Sequence, residues 1–299
     1  MPEKDGKIKH FFLYRALIKC CRAVPLTLRS GLFTAIALLY YHLFPRHRLI
    51  ALHNLKYAFP EKNMGEIITI AKGVYINIAI VWAEFFDIPS LSKDNVADIM
   101  ETEGIDNCRE ALKRGRGVLL FSAHFGNWEL STAAVSLLLA PIVVLYRRLD
   151  NAFLDDLIFL VRASTGNMPL DKEKAMRQML RSLQNNMIVG ILIDQNMAQR
   201  EGVFVDFFSR PACTTDVVAQ LALRSHAAVI PAFSLRMPDG RYRLILGREM
   251  EILETGDWDS DVAVNTQNFT RVVEEMVRKY PDQWLWVHNR WKTKPWQAR

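Results

Sequence analysis

The sequence predicts an α/β fold, a mostly parallel central sheet flanked by helices, behind an N-terminal hydrophobic helix that associates with a membrane. Three observations predict it. Past residue 101, short apolar β-rich runs alternate with stretches of helical periodicity, the pattern of strands joined by crossover helices. Half of the 299 residues are apolar, with only 14 Gly and 12 Pro, which is enough to bury one large core. Finally, the first 48 residues join a run of cations to an apolar stretch.

That first segment, residues 1–48, is read as a basic, apolar membrane-associating unit. Lys7, Lys9, Arg15, Lys19 and Arg22 precede an apolar stretch from Gly31 to Phe44. Roughly fifteen residues at ~1.5 Å each reach ~22 Å, short of a ~30 Å hydrocarbon core. A spanning helix with the body in the cytoplasm would also export the basic end, against the positive-inside tendency. The expectation is therefore a shallow, monotopic insertion. Pro45-Arg46-His47-Arg48 follows Phe44 without a small-residue cleavage site, which argues against a secretory signal.

Residues 49–299 are read as the main domain, with a helical front over 49–100 and an α/β core over 101–299. In the front, apolar residues recur at three and four on either side of Pro60. In the core, strands are expected at Gly117 to Phe121, Pro141 to Leu145, Met187 to Ile193 and Ala228 to Phe233. Helices are expected near 104–114, 128–139, 151–164, 172–185, 215–226 and 261–280. Net charge is +6, with the excess at the two ends. This favours an anionic partner, such as a membrane surface, a phosphorylated lipid or an acidic carrier, over nucleic acid. Cys20, Cys21, Cys108 and Cys213 form no spaced framework, which fits a reducing compartment.

Ligands of an open parallel sheet collect beyond the carboxyl ends of its strands. "HFGNWE", residues 124–129, lies there, directly after the first strong strand. A separation of five residues is ~140° around a helix, so His124 and Glu129 cannot share a helical face. The economical arrangement puts His124 on the turn, uses Gly126 to relieve the backbone and makes Asn127 the N-cap. Glu129 then reaches back from the first helical turn to the imidazole, giving a general base that works near neutral pH.

The same six residues resemble the HX4(D/E) motif of the glycerolipid acyltransferase superfamily, in the Glu-bearing form of the lipid A late acyltransferases. "HNLKYAFPEKN" (53–63), "YRRLDNAFLDDLIFLVRASTGN" (146–167), "ILIDQN" (191–196) with "GVFVDFFSRPACTT" (202–215), and "QWLWVHNRWKTKP" (283–295) resemble further blocks of that family, in order. The resemblance implies a glycerolipid acyltransferase-like fold and transfer of a fatty acyl group from a thioester. The donor would be acyl carrier protein or coenzyme A, and the acceptor a hydroxyl of a phosphorylated lipid A precursor. The implied location is the cytoplasmic face of the cell inner membrane, with no cofactor and no metal. His124 would deprotonate the hydroxyl while Glu129 fixes its tautomer, without a protein nucleophile. Donors for the oxyanion would come from the start of the Asn127 helix or from Arg162.

Other candidates are secondary. Arg162, Arg147 and Arg148 are cations suited to lipid phosphate, with Arg162 the best match to the family's arginine. Asp194 ends an apolar strand, where a carboxylate is rarely placed without a role. Asn151 matches a family position but is equally an N-cap. Ser209 stands where relatives often carry Gly, which puts a positive-φ turn in doubt. Thr214, Thr215 and Asp216 read as helix caps, and His226 and His288 as structural. Trp284, Trp286, Trp291 and Trp296 with Arg290, Lys292 and Lys294 suit a membrane interface, some of them being core. Rival readings are acyl transfer to another glycolipid, such as a phosphatidylinositol mannoside, and a thioesterase. The latter lacks the expected Gly-x-Ser-x-Gly.

Overall fold

The structure is a computed structural model that describes residues 11–171 and 175–297. Its helical front has four members. Helix α1 (Phe11–Ala23) and α2 (Leu26–Leu43) meet at a bend of 100° beside Pro25, which has no N–H with which to continue a helix. Pro45 opens α3 (Pro45–Ala58) at its first turn, where the missing N–H costs nothing. Helix α4 (Met64–Phe85) starts in a reciprocal capping box, Asn63 accepting from Glu66 N–H and Glu66 from Asn63 N–H. Among the described residues α4 is the one helix long and apolar enough by itself to cross a membrane. It packs against α2, α3 and the core, however, and buries residues such as Ile67, Val74, Val81 and Phe85.

Behind this front stands a seven-stranded sheet in the order β1-β9-β8-β2-β5-β3-β4. Its strands are β1 (Met100–Glu103), β2 (Val118–Ser122), β3 (Ile142–Tyr146), β4 (Met168–Asp171), β5 (Ile188–Leu192), β8 (Ala228–Arg236) and β9 (Tyr242–Leu246). Strands β8, β2, β5, β3 and β4 are mutually parallel; β9 runs antiparallel to β8 and carries β1 parallel to itself. A separate hairpin joins β6 (Val203–Asp206) to β7 (Pro211–Thr214). A short helix, α5 (Val96–Ile99), leads into β1, and the later helices are α6 (Ile105–Lys113), α7 (Trp128–Leu138), α8 (Ala152–Ala163), α9 (Ala175–Gln184), α10 (Val217–Ser225) and α11 (Trp258–Lys279).

The expected α/β class and the four expected strands are all present. Strands β1, β4, β6, β7 and β9 are additional. Two of these, β1 and β4, are four residues long and only partly buried, so they lack the continuous apolar run that marks a central strand. Of the helix expected over 172–185, residues 172–174 lie outside the described residues.

Because successive strand side chains point to opposite faces, β2 feeds two cores. Leu119 and Phe121 join Val189, Ile191, Val229 and Phe269 on one face. Val118 and Leu120 join Ile188, Ile230, Ala133 and Val161 on the other. The first core also takes in Trp284, Trp286 and Trp291 from the C-terminal segment. Burying each such ring contributes about 2–3 kcal/mol of apolar transfer energy.

Candidate active site

Register brings the site together. In the parallel pairing of β2 with β5, Ser122 lies opposite Leu192, so two residues further on His124 faces Asp194 beyond the carboxyl ends of both strands. The Asp194 carboxylate holds His124 at two points: Oδ1 lies 2.9 Å from the ring Nδ1, and Oδ2 accepts from the His124 backbone N–H at 3.0 Å. Trp284 Nε1 donates to the same Oδ2 at 2.8 Å. Burial alone would raise the pKa of Asp194, but the His124 ring beside it and these donors hold it down at about 2. It is thus ionised throughout the neutral range, fixes the Nδ1–H tautomer of His124 and leaves Nε2 outside that bond.

The expected reach of Glu129 back to His124 is corrected here. Glu129 is taken by a bidentate ion pair with Arg162, Nε to Oε2 at 2.9 Å and Nη2 to Oε1 at 2.6 Å, and Trp128 Nε1 donates to Oε1 at 3.0 Å. The reason is the first-turn geometry: Glu129 points towards α8, whose last turn carries Arg162, while the Nδ1 side of the imidazole is filled from the neighbouring strand. Burial would raise the Glu129 pKa, yet the guanidinium outweighs it, so the carboxyl stays below its usual range. The charge of His124 adds a smaller pull on Glu129 in the same direction. Arg162 is correspondingly committed to Glu129, with its side chain 23% exposed.

Asn127 takes the predicted N-cap, its Oδ1 accepting from Leu130 N–H at 3.0 Å. Fully buried, it also donates from Nδ2 to Glu84 Oε2 at 2.7 Å, and Tyr242 Oη donates to that same oxygen at 2.6 Å. Burial still keeps the Glu84 carboxyl above its usual range. Gly126, with φ near +55°, is obligatory: a Cβ there would stand 1.5 Å from the Ser234 carbonyl oxygen. Its own N–H donates to Gln283 O, and its carbonyl accepts from Asn77 Nδ2 at 3.1 Å.

The C-terminal segment closes the floor. Asn54, from the first of the quoted blocks, donates to the carbonyls of Trp286 and His288. His288 Nε2 accepts from Asn196 N–H at 2.8 Å, and burial lowers its pKa, consistent with the neutral ring that this bond needs. Arg290 was placed with the interfacial cations by its sequence context; it is 1% exposed and belongs to the core instead. It donates to Cys213 O at 2.9 Å, to Gln195 O at 3.3 Å and to Thr214 Oγ1, because the polar backbone between β5 and β7 offers it carbonyls that water would otherwise serve. Burial pulls its pKa down to about 10, still charged at neutral pH.

The remaining candidates lie further out. Asn151 caps α8 by accepting from Leu154 N–H. Arg147 is exposed on the loop after β3, and Arg148 pairs with Asp171 at 2.9 Å. Ser209 does adopt positive φ, near 55°, together with Phe208, which settles the doubt raised by the missing glycine. Thr214 is buried as a partner of Arg290, and Asp216 precedes α10 without a side-chain capping bond. Trp284, Trp286 and Trp291 are core, whereas Trp296 is 76% exposed. Sequence reasoning passed over Glu84, Asn77 and Gln195; the run Asp194-Gln195-Asn196, three polar residues ending an apolar strand in the crevice, was a signal for the last.

Comparison with known proteins places the chain in a family. The family model described as bacterial lipid A biosynthesis acyltransferase matches residues 6–293. The chain is 28% identical over 255 residues to a lipid A biosynthesis lauroyltransferase of Escherichia coli K12, covering 84% of this chain and 81% of that protein. It is 26% identical over 256 residues to a lipid A biosynthesis palmitoleoyltransferase of the same organism, covering 84% and 80%. With a phosphatidylinositol mannoside acyltransferase of Mycolicibacterium smegmatis it shares 25% over 215 residues, 70% of this chain and 68% of that one.

Proposed function

Since the chain belongs to the bacterial lipid A biosynthesis acyltransferase family and is an O-acyltransferase, we propose that it moves a fatty acyl group from an acyl thioester to a hydroxyl of a phosphorylated lipid A precursor. The observation that carries this reading is the His124–Asp194 pair at the crevice, with Glu129–Arg162 beside it. Nε2 of His124 takes the proton of the acceptor hydroxyl as its oxygen attacks the thioester carbonyl. Asp194 holds the ring's tautomer and, with Glu129 acting through space, stabilises the imidazolium. The imidazolium then protonates the departing thiolate. Arg162 positions Glu129; Asn127 and Gly126 set the turn. Arg147 and Asn151, at the loop beside α8, are proposed to meet the phosphorylated headgroup.

The donor is proposed to be acyl carrier protein or acyl coenzyme A, and the site to work at the cytoplasmic face of the inner membrane. The support for a membrane is an outward stripe on α2, where Leu28, Leu32, Ile36, Leu39 and Leu43 are each more than half exposed. Phe12 of α1 extends it at 84% exposed. The 100° bend between α1 and α2 favours the monotopic arrangement over a straight span. Residues 1–48 would thus serve as the membrane-associating unit and 49–299 as the catalytic one.

The test is reconstitution of purified protein with each acyl thioester and each of three acceptors: a lipid A precursor, a phosphatidylinositol mannoside, and none. Mass gain of one acyl chain on the lipid A precursor is expected. Gain on the mannoside alone would favour the second glycolipid reading, for which the mycobacterial relative speaks, and thioester loss without acceptor would favour a thioesterase. His124→Ala is expected to lower transfer by about 10²- to 10⁴-fold; retention of a tenth of the activity would remove His124 as the base.

A further inference from the structure

The residue after Asp194 has a side chain that the mechanism above leaves unused. Gln195 is exposed, yet its amide Nε2 lies 3.5 Å from Nε2 of His124, the nitrogen left free when Asp194 takes Nδ1. That separation is long for a hydrogen bond, so the amide stands beside the base without being consumed by it. Its backbone, by contrast, is pinned on three sides. The Gln195 carbonyl accepts from buried Arg290, Asp194 before it is bound to His124 and Trp284, and Asn196 after it is bound to His288 and Thr293. A flexible side chain on a fixed backbone is thereby aimed at the point where the reacting atoms must gather.

We propose that Gln195 is a further catalytic residue, whose side-chain N–H donates to the oxyanion formed at the thioester carbonyl; the proposal rests on the acyl-transfer reading. In that step the acceptor oxygen bonds to the carbonyl carbon, its proton passes to His124 Nε2, and the carbonyl π pair moves onto oxygen. Collapse re-forms the carbonyl, breaks the carbon–sulfur bond and returns the proton from His124 to the thiolate. The acceptor oxygen must sit about 3 Å from Nε2 and the carbonyl carbon about as far from that oxygen, which brings the oxyanion within reach of an amide 3.5 Å from the ring.

Of the donors expected from the sequence, Arg162 is held by both oxygens of Glu129, and among the N–H groups opening α7 that of Leu130 is taken by Asn127 Oδ1. A neutral amide also suits the place electrostatically, because a cation there would oppose the imidazolium forming 3.5 Å away.

The test is steady-state transfer by the full-length enzyme in detergent, with Gln195→Ala and Gln195→Glu beside wild type. Gln195→Ala is expected to lower kcat by roughly 10²- to 10³-fold, the range for one lost oxyanion donor, with KM for both substrates within threefold. Gln195→Glu keeps the shape but presents no donor when ionised. Its deficit relative to wild type should shrink as pH falls and the carboxyl regains a proton to donate, a response that a purely structural role would not produce. A kcat for Gln195→Ala within threefold of wild type overturns the proposal, as does a loss confined to KM, which would put the amide on the acceptor instead. A wild type that transfers no acyl group overturns the acyl-transfer reading and this proposal with it. An active wild type with an equally active Gln195→Ala overturns this proposal alone.

Discussion

At Asp194 one carboxylate ties together a ring nitrogen, a backbone amide and an indole, so its charge supports the structure and, in the proposed mechanism, the chemistry. Its folded-state pKa, about 2, lies below the usual 3.8. The stability this contributes, about 2 kcal/mol by linkage, is present above pH ~4 and is lost as pH falls through 2. Asp194→Asn should therefore flatten the acid limb of a melting-temperature profile between pH 2 and 5. At neutral pH it should also lower turnover by about 10²- to 10⁴-fold, because an amide no longer enforces the Nδ1–H tautomer. An unchanged acid limb would show that the carboxylate is not held by these bonds. Gly126 is the second residue on which the turn depends. With the Ser234 carbonyl 1.5 Å from where a Cβ would stand, Gly126→Ala should destabilise the protein by about 3 kcal/mol or more and abolish transfer, measured by thermal melting and product mass.

At the scale of elements, α4 bridges the helical front and the turn that follows His124. Asn77 and Glu84, seven residues apart and so on one face, reach Gly126 O and Asn127 Nδ2 respectively. Asp87, just past its end, pairs with buried Arg29 of α2. Asn77→Leu should remove about 1 kcal/mol of stability while lowering kcat more than KM, since the lost bond fixes the turn rather than the substrate. Equal losses in Asn77→Leu and in a distant variant of matched stability would show that the bond carries no positioning. Central elements such as β2, β5, α7 and α8 were legible in the sequence, because buried parallel strands are continuous apolar runs and their helices carry caps. Edge strands β1 and β4 were not, both being four residues long, the first polar and the second carrying Pro169. The site was legible in part: His124, Asn127 and Gly126 follow from local turn chemistry. The partner of His124 does not, since Asp194 is 70 residues away and is brought opposite only by the pairing of β2 with β5. Glu129 was assigned to the nearest imidazole in sequence, whereas a guanidinium 33 residues on claims it.

For the whole molecule, the outward stripe of α2 and exposed Phe12 of α1 put apolar surface on the front, where Arg15, Lys19 and Arg22 of α1 are exposed as well. Deleting residues 1–44 should release most of the protein from anionic vesicles and lower transfer to a bilayer acceptor more than to a detergent-dispersed one. Apolar contact and cation attraction act together there, the latter at about 1 kcal/mol per Lys or Arg. Equal loss on both acceptors would show that the segment serves folding. The C-terminal clamp has a different consequence, one of timing. A chain is made from its N-terminus at about 5–20 residues per second, so α1 and α2 are complete long before Trp284 and Arg290 exist. Until those residues arrive, Asp194 lacks its indole donor, Gly126 lacks the Gln283 carbonyl and the Gln195 carbonyl lacks its guanidinium. On the reading proposed here, a chain still on the ribosome would dock through α1 and α2 while inert towards thioesters, and activity would be gained only when the end of the chain folds back beneath a dyad completed at Asp194, 90 residues before Trp284.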